Sequence, residues 1–360
     1  MAANNLDTAI PLHLRKERTT TPVLSPNFVP PYPSYASLFP TSIEQIVMAI
    51  LGVQYHSKKI SYPTPEIAML TSFLAGGSDA THPSFWEPAS MTDELGCYNI
   101  AIIAYWPSFA LYQEWREESG FAKWWDGLVA VPEAHGWFLE VLSPTVDRWE
   151  TINSTMDIKD GGSTMRDGLS EAVKEHGYWG STRDRLPIAQ VDGLHGEKIV
   201  NDAKRDEGTT KEKKRVSGKK NLCVIRSGQD WSSTAPDERQ LYLESMHPVL
   251  IKGMDFLRDH GAEIGCYSCR FMDIIDVETG AGGKKRTFGL AYFDELASLE
   301  KWSKYHKTHL DIFGGFLKYA KRLGENMTLK LWHEVLVLEP GQQTFEYVGC
   351  HAKTGMLGVI

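Results

Sequence analysis

Three imidazoles in the last third of the chain stand where apolar side chains usually pack. Steps of three and four residues link Leu299, Trp302, His306, His309 and Phe313, so the spacing predicts one long helix with both histidines on its buried stripe. Alternation over Leu329 to Leu338 predicts a strand whose one face carries Leu329, Leu331, His333, Val335 and Val337. A buried imidazole needs a partner. It is either a core histidine bonded to a carbonyl, or a group that holds a metal or moves a proton near neutral pH. An internal comparison separates these readings. Ala104-Tyr105-Trp106 and the residues up to Trp115 align without a gap on Ala291-Tyr292-Phe293 and the residues up to Trp302, which sets Ala122 opposite His309. Glu140-Val141-Leu142 against Glu334-Val335-Leu336 sets Leu139 opposite His333. One copy packs with alanine and leucine where the other has imidazoles, which favours chemistry over packing.

A second dense run, Glu175 to Arg185, mixes His176, Tyr178, Trp179, Arg183 and Arg185 with glycines that permit close backbone approach. It reads as a site or as an ordered loop whose arginines pair locally. Cys266 and Cys269 have redox-motif spacing, but they lie in an apparent strand, Ile264 to Met272, and read as strand thiols. Five widely spread cysteines suit reduced thiols, and no Cys-x-x-Cys-His occurs, so any haem would be held without thioether bonds.

The elements that must position these residues form two series. Ile46 to Tyr55, Tyr98 to Trp106 and Gly136 to Leu142 read as strands; Thr64 to Leu74 and Phe109 to Trp125 read as helices. In the second half the strands are Asn221 to Arg226, Ile264 to Met272, Thr287 to Phe293 and Leu329 to Leu338, with a helical region over Pro236 to His260. The fold class is α+β, with two ferredoxin-like halves sharing an antiparallel sheet or a barrel built from them. The boundaries are an extended Pro/aromatic arm (1–40), a first half (41–150), a connection (151–220), a second half (221–340) and a tail (341–360). Six prolines between Pro22 and Pro40, interleaved with Phe28, Tyr32, Tyr35 and Phe39, predict that the arm lies against the body or a second subunit. Residues 201–220, rich in lysine and broken by acids and glycines, read as a solvated, mobile insertion.

With 360 residues, 42% hydrophobic, the chain can bury a substantial core. A net charge of −8 argues against nucleic acid as a main partner. No run of about 18 apolar residues occurs, so no membrane span is expected. The expected location is cytoplasmic.

The run Glu175 to Arg185, Ile225 to Trp231, Gly253 to Asp259, His306 to Phe313 with its Thr308-His309-Leu310, His333-Glu334-Val335, and Phe345-Glu346-Tyr347 with His351 and Thr354 to Leu357 resemble the haem-containing aldoxime dehydratases. The resemblance covers nearly the whole chain from about residue 25. It implies a lyase that uses ferrous, non-covalently held haem b to convert an aldoxime, R-CH=N-OH, into a nitrile and water, and that works as a homodimer. It matches His309, not His306, to the proximal iron ligand and His333 to the distal acid and then base. Ser227 matches a serine that bonds the oxime hydroxyl, Arg185 a distal arginine, and Glu150 a carboxylate of the acid-base network. His176 matches a histidine of mainly structural role. Two features depart from the family pattern, the connection Tyr319 to Thr328 and the basic insertion, and both bear on the rim of the substrate channel. Trp179, Phe109 and Trp137 are read as pocket walls or as core. The alternatives are a haem peroxidase or chlorite dismutase-like enzyme, and a haem-binding sensor without turnover.

Overall fold

The computed structural model describes residues 6–57, 60–129, 134–176, 181–198 and 212–359. The arm contributes β1 (Ser37–Leu38). The first half follows as β2 (Val47–Tyr55), α1 (Pro65–Leu74), β3 (Phe85–Thr92), β4 (Tyr98–Trp106), α2 (Phe109–Glu118), α3 (Phe121–Gly127) and β5 (His135–Leu142). The connection holds β6 (Trp149–Asn153), β7 (Gly168–Leu169), α4 (Ser181–Arg185) and β8 (Lys214–Val216). The second half runs β9 (Leu222–Asp230), α5 (Pro236–Leu241), α6 (His247–His260), β10 (Cys266–Ile275), β11 (Gly282–Phe293), α7 (Leu296–Tyr305), α8 (Lys307–Leu323) and β12 (Lys330–Leu338), and β13 (Gln343–Val348) follows.

Apart from the short pair β1–β7, the strands join one antiparallel sheet in the order β6-β12-β9-β11-β10-β3-β4-β2-β5-β13-β8. Strand β2 is buried at all nine positions and continuously apolar over Val47 to Leu51, as a central strand covered on both faces must be. The sheet bends back on itself: Met48, Ile50, Tyr105 and Phe138 of the first half share one core with Val224, Leu290, Tyr292 and Leu336 of the second. Outside this double layer, residues of α1, α2 and α3 pack on the first half, while Leu257 of α6 and Leu299 and Trp302 of α7 pack on the second.

Two buried ion clusters lie in the inner layer, related by the internal repeat. Tyr292 donates to Glu140 at 2.6 Å, and Arg270 grips the same carboxylate at 2.5 and 2.7 Å. Tyr105 donates to Glu334 at 2.5 Å, where Arg226 is shared among Glu334, Asp160 and Glu87.

Several sequence expectations need correction. Strand β3 is absent from the sequence reading because Pro88 and the buried polar Glu87 and Ser90 mask its pattern. The proline is tolerated because β3 meets β10 only through Ala89 and Ser90. The helix expected over Phe109 to Trp125 is two, separated at Ser119 and Gly120, whose φ of 80° is left-handed. The long helix through His306 and His309 is also two. His306 takes an extended conformation (φ −81°, ψ 134°) as N-cap of α8, accepts the Thr308 amide, and stacks half-buried on Phe256 at 4.1 Å. It therefore leaves the buried stripe. Helix α8 continues to Leu323, so the connection to β12 begins later than Tyr319. Most of the basic insertion lies outside the described residues, but Lys214–Val216 pairs with β13 at the sheet edge. No helix among the described residues is long and apolar enough to cross a membrane.

Candidate functional site

The corner between α7 and α8 fixes His309. Its Nδ1 lies 2.6 Å from the Ser303 carbonyl, and because a carbonyl only accepts, Nδ1 must carry the proton and Nε2 the lone pair. The Trp302 ring packs against the imidazole at 4.6 Å, and Trp302 Nε1 donates to Thr308 Oγ1 at 3.1 Å. Burial holds the pKa of His309 down, to about 4, against the opposing pull of the Ser303 carbonyl. A neutral imidazole with Nδ1 pinned to a carbonyl is the form in which histidine ligates a metal.

On the sheet, strand register aligns Gly289 of β11, Ser227 of β9, His333 of β12 and Ile152 of β6 in one row. Successive members of such a row lie about 4.8 Å apart, with side chains on the same face. That face is the one covered by the outer helices, since Val335, Val337 and Ala291 on it pack with Trp302 and Leu299. Its apolar packing falls into two clusters, one around Trp302, Ile225 and Val335, the other around Tyr319, Phe316 and Leu331. Ser227 and His333 lie in the row between them. Spacing puts His309, Phe313 and Phe316 on one side of α8, and residues 312–317 at the middle of this helix are only half-buried. Two half-buried faces, mainly apolar and with one imidazole on each, fit a flat macrocycle held by His309 from the helix.

Helix α4 and strand β6 bring the remaining groups to His333. Arg185 makes a two-toothed pair with Glu150, Nε to Oε2 at 2.8 Å and Nη2 to Oε1 at 3.0 Å. Its Nη2 also lies 3.1 Å from His333 Nε2, which in turn is 3.4 Å from Glu150 Oε1. Nη1 donates to Ser181 Oγ and the Glu175 carbonyl, and Thr182 Oγ1 lies 3.2 Å from Nη2 as a further acceptor. Burial alone would raise the Glu150 carboxyl, but Arg185 and His333 outweigh it and hold the group at about 2. The imidazole of His333 keeps 27% of its surface exposed against 3% for Glu150, so it is the member of this triad within reach of a small molecule.

His176 serves the arm. Its ring meets Ser34 Oγ at 2.8 Å and the Tyr32 carbonyl at 3.2 Å, and burial, reinforced by Arg185, lowers its pKa to about 4. Asp184 accepts from the amides of Val23 and Leu24, and the Tyr32 ring abuts Phe316 at 5.6 Å, so the arm lies against the body of its own chain.

The structure thus joins Arg185, Glu150 and His333 by direct bonds, sets Ser227 beside His333, and places His309 across on the helix. Of the suggested pocket walls, Trp137 is core and Phe109 is exposed on α2 in the other half, while Trp179 lies outside the described residues. Sequence reasoning missed Ser303, Ser181, Thr182, Asp184 and Tyr32 as supports. Ser181, Thr182 and Asp184 fall in the run already singled out, and Tyr32 in the arm; the Ser303 carbonyl is a backbone atom and leaves no mark in sequence.

The haem-containing dehydratase family matches residues 49–356. The aliphatic aldoxime dehydratase of Rhodococcus erythropolis is 33% identical over 352 residues, with 98% of each chain covered, and that of Pseudomonas chlororaphis is 34% identical over 354, also with 98% of each covered. The phenylacetaldoxime dehydratase of Bacillus sp. (strain OxB-1) is 28% identical over 347 residues, with 92% of each covered. The crystal structure of an aldoxime dehydratase in complex with butyraldoxime superposes with a TM-score of 0.87 at 32% identity, covering 98% of this chain and 96% of its own. With a matching family description over most of its length and relatives aligned nearly end to end, this chain belongs to the haem-containing dehydratase family.

Proposed function

We propose that this protein is an aldoxime dehydratase, a lyase that converts R-CH=N-OH into R-C≡N and water at haem b, with His333 as the proton donor and acceptor. The observation that carries the assignment of His333 is its bonded contact with the Arg185–Glu150 pair on a strand face that looks toward the His309 helix.

In this reading His309 holds the haem, its neutral imidazole oriented by Ser303 and Trp302. Haem b, when bound in its ferrous form, supplies an electron-rich metal centre that weakens the N–O bond. The hydroxyl is a poor leaving group and needs a proton as the N–O bond breaks. His333 gives it, while Ser227 Oγ holds the hydroxyl. The hydrogen on carbon then leaves as a proton, and His333, now neutral, takes it. Arg185 and Glu150 steady the two states of His333: the guanidinium donates to neutral Nε2, and the carboxylate balances the imidazolium. The proton count closes, since the donor is regenerated when the nitrile forms.

The order of each sheet quartet, β12-β9-β11-β10 and its mirror β5-β2-β4-β3, supports reading the halves as ferredoxin-like and the bent sheet as barrel-like. A homodimer in the cytoplasm completes the proposal; light scattering tests the dimer. The purified protein is expected to show a Soret band and, under dithionite, to turn phenylacetaldoxime or butyraldoxime into the nitrile. Turnover of peroxide with none of either oxime would replace this reading with the peroxidase alternative.

A further inference from the structure

The corner between α7 and α8 closes on side chains that the proposed reaction does not use. His306 Nδ1 accepts the Thr308 amide, so it carries a lone pair, and Thr308 Oγ1, 2.9 Å from the same nitrogen, must donate its proton there. An indole N–H can only donate, so Trp302 Nε1 gives its hydrogen to Thr308 Oγ1 at 3.1 Å. The three groups form a one-way chain, Trp302 to Thr308 to His306, and Phe256 stacks on its last ring.

The internal repeat supplies a control. In the register that sets Ala122 opposite His309, Trp115 stands opposite Trp302, Phe121 opposite Thr308 and Ser119 opposite His306. Both halves break their helix at this corner, but the first closes it with the left-handed Gly120 and no side-chain cap. There the indole N–H of Trp115 goes to the Phe73 carbonyl at 2.9 Å, and its ring stacks on Phe121 at 5.1 Å, as a core residue. Of the two copies, the one that carries an imidazole turns its tryptophan N–H back to the corner.

From this contrast we infer that His306 and Thr308 are positioning residues for the haem ligand: they lock the Trp302 indole in place, and the indole fixes the plane of the His309 imidazole. The inference rests on the reading of His309 as the group that holds the haem. A single bond from Nδ1 to the Ser303 carbonyl leaves the ring able to swing about its Cγ–Nδ1 edge, which would carry Nε2 sideways. The indole, 4.6 Å away and inclined at 60°, closes that swing on one side. A hydroxyl engaged with both the indole and His306 keeps the indole from turning over. Such supports around a metal-binding histidine set its orientation and its strength as a ligand.

The test reads the iron–histidine stretching band of the haem-loaded, dithionite-reduced protein by resonance Raman, with nitrile formation alongside. Thr308→Val keeps the branched shape and loses the hydroxyl; Trp302→Phe keeps an aromatic ring and loses the N–H. Both are expected to bind haem, to shift or broaden the band by several wavenumbers, and to lower kcat by about tenfold with KM little changed. Thr308→Ser, which keeps the hydroxyl, should return the band to its native position. A native band in Thr308→Val or in Trp302→Phe overturns the inference, as does a band in Thr308→Ser displaced as far as in Thr308→Val. Should the variants lose haem, an unchanged thermal midpoint of the apoprotein supports the inference, whereas a lowered midpoint reduces these residues to struts of the corner and overturns it. Absence of an iron–histidine band in the native protein, or its survival in His309→Ala, overturns His309 as the ligand, and the inference falls with it.

Discussion

Arg185 Nη2 lies 3.1 Å from His333 Nε2 while the same nitrogen holds Glu150 Oε1 at 3.0 Å. A guanidinium can only donate, so this contact selects the neutral imidazole with its lone pair on Nε2. Glu150 Oε1, 3.4 Å from the same ring nitrogen, accepts instead from an Nε2 that carries a proton. One ring nitrogen of His333 thus faces both a donor and an acceptor, the setting a group needs if it is to give a proton and take one back.

His333→Ala is expected to keep the haem spectrum and lose dehydration by at least 10²-fold, the lower range for a positioned acid-base group. His309→Ala should instead lose or misplace the haem, read as a shifted or missing Soret band. Full turnover by His333→Ala would remove its assigned role.

Ser227→Ala tests the smaller contribution. Its hydroxyl adds one hydrogen bond to the leaving group, so the loss should be on the order of tenfold. An unchanged rate would leave Ser227 as a small residue that merely keeps the row open.

Glu150→Gln should do more damage to the protein than to haem binding. Both partners are buried, at 2% and 3% side-chain exposure, and removing one charge strands the guanidinium at a cost on the order of 3 kcal/mol. Urea unfolding of the two proteins measures it. An unchanged midpoint would mean that Arg185 finds another carboxylate.

The repeat-related glutamates lead to a pH prediction. Glu140 faces one arginine, and although burial raises its pKa, Arg270 and its hydrogen bonds hold it down. Burial pushes Glu334 up to about 7 despite Arg226, and burial with Asp160 nearby raises Glu87 as well. The charge count explains the contrast: Glu87, Asp160 and Glu334, with Asp230 at the rim, share two guanidiniums, Arg226 and Arg286, so carboxyls are in excess. A folded state that keeps a proton the unfolded chain releases above about 4.5 is fully stabilised below that pH and loses stability as pH rises toward 7. Relative to native, Glu87→Gln should therefore gain stability between pH 5 and 8, by a change on the order of 3 kcal/mol. Thermal midpoints across that range read the trend; a difference independent of pH would place the excess charge elsewhere.

Asp184→Ala should loosen the arm, because one carboxylate accepts the amides of both Val23 and Leu24. Faster proteolysis near residue 25 is the expected sign. An unchanged cleavage rate would assign the anchoring to Thr20 and the Ser34–His176 contact.

By itself the sequence determined the two-fold repetition of strands and helices, the burial of His309, and the strand face that carries His333. Local periodicity and an ungapped internal match encode these directly. The departure of His306 from the buried stripe was invisible, because extended backbone at a single cap position leaves the apolar spacing intact. Strand β3 was hidden for the converse reason: its Glu87 turns inward to ions supplied by β9 and β11, so its burial depends on partners far away in sequence. Only the tertiary structure joined Arg185, Glu150 and His333, which come from a short helix and two strands up to 183 residues apart. Long-range pairing of charged groups has no periodic signature; strand register and the course of the connection decide it.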